Sequence, residues 1–327
     1  MNRMSLSSVR RRILLGLTAV LFGSAVHAAG YPERPITLII PYAAGGGTDA
    51  VGRVLASQME KTLGQPVNVV NRTGGNGVVG LTAASAAAAD GYTLGLITVE
   101  ATMLHGLGLT DIRQSSLTPI ALVNADPASV LVAADSPFKT VDDLVAAAKA
   151  NPGKLKGSGA APGGIWHLAL AGMLKGSGAD PLSIAWIPSN GAAPALQDLV
   201  AGGIHVVTCS LPEARSLIDA KKIRPLAVMA TDRSPLFPTV PTLLEVKKID
   251  WLALNWRGIV APKGLPADIQ ERLYRAVKQA VESKEYRDFL QTRGFGAAFA
   301  TSADFAKLMA TSEAELIAVA KASGLTK

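Results

Sequence analysis

Apolar positions along this chain follow two alternating rhythms. The run Pro35-Ile36-Thr37-Leu38-Ile39-Ile40-Pro41 has almost no polar face, which suits a short strand buried on both sides. Between Thr48 and Leu63 the large apolar residues Val51, Leu55, Met59 and Leu63 recur four apart on one helical face, and Gly64 stops the pattern. The same two signals then repeat. Strands are predicted at Val67–Val70, Tyr92–Ile97, Val130–Ala133, Ser183–Ile187, His205–Thr208 and Pro225–Met229, and helices at 78–89, 140–150, 165–175, 193–201 and 212–220. From Ala267 to Ser323 the chain is mostly helical. Strands alternating with helices predict an α/β fold with largely parallel sheets. No fixed-period repeat or low-complexity tract interrupts it.

The N-terminus stands outside this rhythm. Arg3, Arg10, Arg11 and Arg12 precede an apolar run from Ile13 to Val26, and Val26-His27-Ala28 offers small residues for cleavage. That is the layout of an export signal over 1–28, and the run is shorter than the ~20 apolar residues a membrane span needs. The adjacent arginines loosely resemble a twin-arginine signal, so both export routes stay open. Cys209 is the only cysteine, which rules out an internal disulfide and a lipoprotein anchor. Removing the four signal arginines from 32 basic residues leaves 28 against 25 acidic ones. No basic cluster remains to track a phosphate backbone, so no nucleic-acid partner is expected, and no zinc-ligand spacing or cofactor motif stands out.

Three segments carry the candidate chemistry, each a small-residue loop between a strand and a helix. They are Pro41-Tyr42-Ala43-Ala44-Gly45-Gly46-Gly47-Thr48-Asp49, then Gly157-Ser158-Gly159-Ala160-Ala161-Pro162-Gly163-Gly164, and Pro188-Ser189-Asn190-Gly191-Ala192-Ala193. Side-chain-free backbone lets amides approach a ligand, and a helix start favours an anion. A plain turn capped by Thr48 or Asp49 is the alternative for the first. Ligands in open α/β sheets sit beyond the carboxyl ends of strands, where all three loops would lie.

At these loops the chain resembles a known family. Tyr31-Pro32-Glu33-Arg34-Pro35-Ile36, the first loop, Leu63-Gly64-Gln65-Pro66-Val67, Asn71-Arg72-Thr73-Gly74-Gly75 and Asp90-Gly91-Tyr92-Thr93-Leu94 stand in the expected order. So do Ala150-Asn151-Pro152-Gly153-Lys154, Leu196-Gln197-Asp198-Leu199, Arg224-Pro225-Leu226, Val240-Pro241-Thr242 and Trp256-Arg257-Gly258. Together they resemble the Bug-type solute-binding proteins of tripartite tricarboxylate transporters, over essentially the whole chain after residue 28. The resemblance implies a two-lobed periplasmic-binding-protein (type II-like) fold with a ligand cleft between lobes, crossed twice by the chain. Lobe 1 would span 29–126 and 231–327 and lobe 2 would span 127–230, with crossings near Asn124–Val130 and Val228–Ser234. It further implies a monomer in the periplasm that captures a small organic acid and passes it to a membrane permease of two different subunits. The ligand would be a di- or tricarboxylate, an aromatic acid or a similar molecule.

Mapped onto this chain, Tyr42, Ala43, Ala44, Gly46, Gly47 and Thr48 would form the first wall of the cleft. Asp49 would cap the helix or bind through water or a ligand hydroxyl. Ser158, Ala160 and Gly163 would form the second wall, and Ser189, Asn190 and Ala193 would meet the ligand's far end. His167 would either pack as a capping histidine or touch the ligand, and Thr208 would reach the cleft from below. Ser189-Asn190 replaces a Tyr-Lys pair frequent in the family, removing a ring and a cation from the third loop. A sensor kinase is the alternative recipient of the liganded protein. A secreted hydrolase is a further alternative, but no Gly-x-Ser-x-Gly elbow occurs, and His205 and Cys209 lie too far apart along one strand to share a proton.

Overall fold

The computed structural model describes residues 30–324. The export signal expected over 1–28 lies outside the described residues. Strands β1 (Ile36–Ile40), β2 (Val67–Asn71) and β3 (Thr93–Thr98) pair in parallel, with β1 in the middle. Helix α1 (Gly47–Leu63) links β1 to β2 and ends where Gly64 takes φ 70° and donates its amide to Glu60 O. Glycine suits that position because a Cβ is strained in the left-handed region. Helix α2 (Val78–Ser85) stops short of the expected residue 89. Beyond Ala84 no residue of the Ala-rich run is buried, so no tertiary packing sustains the helix. A single turn, α3 (Glu100–Met103), follows β3.

Strand β4 (Leu117–Ala133) is 17 residues long and belongs to both lobes. Its first half, Leu117–Pro127, pairs antiparallel with β9 (Leu254–Pro262), which in turn pairs antiparallel with β3. From Ala128 it pairs instead with β7 (Val206–Ser210) and β8 (Ile223–Val228). Strand β5 (Leu155–Ser158) lies parallel between β7 and β6 (Ile184–Trp186). The antiparallel β4–β9 pair departs from the parallel pattern expected from the sequence. Pro119, Asn124, Asp126 and Pro127 break the apolar run in β4, and Asn255 and Arg257 break it in β9. Both strands nevertheless form, because Asn124 and Asp126 are buried against Arg257, which bonds to both; Asn255 is buried with its Oδ1 unpaired.

Helices α4 (Val141–Ala150), α5 (Ile165–Gly176), α6 (Ala192–Val200) and α7 (Leu211–Asp219) cover the second sheet. Thr140 and Asp143 cap α4 reciprocally, and Ser210 and Glu213 do the same for α7. The short α8 (Leu243–Lys247) follows β8. The chain after β8 stays with second-lobe partners: Thr242 bridges Val228, and Trp251 Nε1 donates to Ala169 O at 3.1 Å. Lys247 pairs with Asp142. Ala253 O still accepts from Ala128 N at 2.8 Å, and the chain rejoins the first sheet at Leu254, which pairs with Pro127.

Helices α9 (Ala267–Glu282), α10 (Lys284–Arg293) and α11 (Ser302–Ala322) complete the chain. One core gathers Leu38, Leu55, Leu94, Ile259, Leu273 and Tyr286 around the first sheet. A second runs from Val130, Leu170 and Val206 across the junction to Trp256 and Phe305. The result is a two-lobed α/β fold with its cleft where β4 changes partners.

Candidate functional site

All three small-residue loops lie at the C-terminal ends of strands. The first joins β1 to α1, the second β5 to α5, and the third β6 to α6, so three helix starts converge on one gap. The gap is nearly shut. Ala43 N donates to Asn190 O at 3.4 Å, tying the first loop to the third. The inner chamber beneath that contact measures about 20 Å3, room for about one water. It is lined by Tyr42, Ala43, Gly46, Gly47, Thr48, Ala160 and Ala193 together with Glu100, Glu213 and Asn255. An outer chamber of about 340 Å3 shares Tyr42 as a wall and adds Asn76, Ser189 and Asn190.

The other expected site residues turn elsewhere. Ala44 is exposed and lines neither chamber. Asp49 does not cap α1. It faces back into its own loop, where Gly45 N donates to Oδ2 and Asn71 Nδ2 to Oδ1, both at 2.9 Å, and Arg53 pairs with it. These donors hold its carboxyl below the usual range despite burial. Its negative charge is thereby consumed within the first lobe, away from the chambers.

Ser158 Oγ donates to Ile187 O at 2.7 Å and Thr208 Oγ1 to Trp166 O at 2.6 Å. Both hydroxyls are thus spent inside the second lobe. Gly163, at φ 76°, shapes the turn into α5. His167 is the capping residue of the two readings. Its Nδ1 accepts from Gly163 N at 3.0 Å, and its ring stacks on Trp186 at 4.5 Å. Burial lowers its pKa to about 4, so it is neutral with the proton on Nε2.

The charged groups of the cleft come from residues that the loop motifs did not reveal. Gly47 N, the first amide of α1, donates to Glu213 Oε1 at 3.2 Å. Glu213 belongs to α7 of the opposite lobe, where its Oε2 accepts from Ser210 N at 3.1 Å and Ser210 Oγ at 3.0 Å. The converse bond runs the other way. Ile165 N, the first amide of α5, donates to Glu100 Oε1 at 3.1 Å from the end of β3. Thr98 Oγ1 also donates to Glu100, and burial raises the Glu100 pKa above its ordinary value. Each lobe therefore extends one carboxylate onto a helix start of the other.

Beneath Glu213 sits Arg257 of β9, fully buried. Its Nε donates to Thr48 Oγ1 at 3.0 Å, Nη1 pairs with Asn124 and Asp126, and Nη2 lies 3.7 Å from Glu213 Oε1. Asn255, also in β9, leaves Oδ1 buried in the inner chamber without a partner. Some signal existed in the sequence. Ser210-Leu-Pro-Glu213 is a capping-box pattern, and an arginine inside the apolar run Trp256–Pro262 implies a buried, paired charge. Neither pattern shows that the partner lies in the other lobe. Among the described residues no group of three or more His, Cys, Asp or Glu could hold a metal ion.

Comparison with known proteins agrees with this architecture. Residues 51–325 match the family described as tripartite tricarboxylate transporter family receptor, TctC. A TctC solute-binding protein from Polaromonas, solved without ligand, is 36% identical and superposes with a TM-score of 0.65 over 89% of this chain and 99% of its own. The periplasmic binding protein BugD is 27% identical, with a TM-score of 0.85 over 91% of this chain and 100% of its own. Rpa4515 of R. palustris, solved with adipate, is 28% identical and superposes at 0.84 over 90% and 98%. With the two lobes, the cleft between them and the match over most of its length, this chain belongs to the TctC family of tripartite tricarboxylate transporter receptors.

Proposed function

We propose that this protein captures a small organic carboxylate between its lobes in the periplasm and delivers it to a two-subunit membrane permease. The observation that carries the reading is the reciprocal pair of carboxylates in the cleft. Glu213 on the Gly47 amide and Glu100 on the Ile165 amide each occupy a helix start from across the gap. Helix starts favour anions through unpaired amides and the helix dipole, and the protein's own carboxylates already exploit both. An incoming acid takes the α1 start when Glu213 swings back towards Ser210, with the Arg257 charge beneath it. The adipate bound by Rpa4515 supports the ligand class.

Motion follows from the same reading. The inner chamber is too small for any organic acid, so the lobes part to admit one. The ligand-free Polaromonas protein superposes less well than adipate-bound Rpa4515 although it is more similar in sequence, which supports lobes with more than one relative setting. The hinge strands would be β4 between Pro127 and Ala128 and the return at Ala253–Leu254, which moves the second lobe boundary later than residue 230. A binding role also suits the inert nucleophile. Cys209 is buried and its thiol pKa is raised by that burial, leaving little thiolate.

A thermal-shift screen of the purified protein against mono-, di- and tricarboxylates tests the proposal. A ligand at 100 times its Kd stabilises the folded state by about 2.7 kcal/mol, a readily measured rise in Tm. Uptake of the best acid should then fall in cells lacking the gene. A Tm that responds to no organic acid but to sugars or amines would overturn the reading.

A further inference from the structure

The loop after β2 places an unsatisfied amide group in the cleft. Asn76 is 5% exposed, and neither its Oδ1 nor its Nδ2 has a hydrogen-bond partner. A buried carboxamide with no partner on either end is rare in folded proteins, because both groups have given up water for nothing. Asn76 lines the outer chamber with Tyr42, Ser189 and Asn190, yet its amide atoms are covered in this closed setting and would meet a ligand only once the lobes part; Gly75, Pro188 and Asn190 at the rim are exposed. Backbone geometry favours asparagine or glycine at this position, but it gives no reason to leave the carboxamide unpaired. Asn76 takes φ 57°, where glycine would be at least as comfortable.

The second lobe is shaped around this side chain. A Cβ on Gly164, the residue preceding α5, would lie 2.8 Å from Asn76 Oδ1 and 3.1 Å from Nδ2. Glycine is thus what lets the carboxamide reach the junction between lobes, where it then bonds to nothing of the protein. No side chain lining the outer chamber is charged, so whatever enters meets only neutral donors and acceptors.

We propose that Asn76 reads the distal head of the bound acid. The ligand would be an aliphatic acid with one carboxylate at the helix starts and a second hydrogen-bonding group, a carboxylate or an amide, in the outer chamber. This rests on the carboxylate reading above. Nδ2 donates to the head's oxygen, and Oδ1 accepts from an amide hydrogen where one is present. Because the chamber holds no cation, a diacid and its half-amide should bind with similar strength, both more tightly than the monoacid that leaves Asn76 unpaired.

Calorimetry with straight-chain diacids of four to seven carbons, their half-amides and the matching monoacids tests this on wild type, Asn76→Gly and Asn76→Asp. In wild type at least one diacid or half-amide should bind ten-fold or more tightly than its monoacid. Asn76→Gly should abolish that advantage, a loss of about 1.4 kcal/mol, while the ligand-free Tm stays equal or rises. Asn76→Asp should weaken the diacid and spare the half-amide. Three results overturn the proposal. Wild type binding monoacids as tightly as diacids leaves the carboxylate site standing without a distal reader. A fall in ligand-free Tm in Asn76→Gly with the diacid advantage intact makes Asn76 structural. Failure of every acid, monoacids included, removes the carboxylate reading and this one with it.

Discussion

Replacing Glu213 with glutamine should make this protein a tighter binder of carboxylates. Glu213 Oε1 lies on the Gly47 amide at 3.2 Å, the group that a ligand carboxylate at the α1 start would use. Its side chain is only 6% exposed, so its charge is poorly screened. Two carboxylates about 4 Å apart repel by about 4 kcal/mol at an effective dielectric constant of 20. Arg257 at 3.7 Å and the retreat of Glu213 onto Ser210 relieve part of this. The remainder is of the order of one charge-assisted hydrogen bond, ~1.5–3 kcal/mol. Glu213→Gln removes the charge yet keeps an oxygen for the Ser210 amide, so the α7 cap survives with a stability cost of about 1 kcal/mol. Affinity for a monocarboxylate should therefore rise ten- to hundred-fold, measured by calorimetry. Ligand-free scattering should also show a larger radius of gyration, since a bond closing the lobes is weakened. Affinity that falls instead would mean that Glu213 accepts a hydrogen bond from the ligand, and the argument for competition would be wrong. Unchanged affinity would place the ligand away from the α1 start.

Two further outcomes follow from the same contacts. A Cβ at Gly47 would stand 2.7 Å from Glu213 Cγ and 3.0 Å from Arg257 Nη2, so Gly47→Ala should hold the lobes apart and weaken acid binding by about ten-fold; an unchanged radius and affinity would show that closure tolerates the methyl. His167 has its pKa lowered from 6.5 to about 4 by burial, so its contribution to stability is full above pH 6.5 and is lost as pH falls through 4. That amounts to roughly 3 kcal/mol over the interval, and His167→Gln should flatten the slope of denaturant midpoint against pH; a slope equal to wild type would assign the acid sensitivity to other groups.

Much of this molecule can be read from local pattern. The four-residue spacing of Val51, Leu55, Met59 and Leu63 marks α1 because a helix face repeats at that interval, and Gly64 ends it for a backbone reason. The three glycine-rich loops could be set at strand ends, and hence at one cleft, because ligand clefts of open α/β sheets form where strands end and helices begin. Periodicity failed in β4 and β9, where buried Asn124, Asp126 and Arg257 satisfy one another and a polar residue no longer signals the surface.

The roles of individual side chains were decided only by tertiary structure. Ser158, Thr208 and His167 stand in or beside the loops, yet each commits a polar atom (Oγ, Oγ1 and Nδ1) to a backbone group of its own lobe. Glu213 meets Gly47 across 166 residues of chain and Glu100 meets Ile165 across 65. No local spacing encodes such a pairing, because it exists only where the surfaces of the two lobes meet. Sequence determines each lobe through short-range periodicity and turn chemistry; the charges that face the cleft are set by which lobe surface meets which.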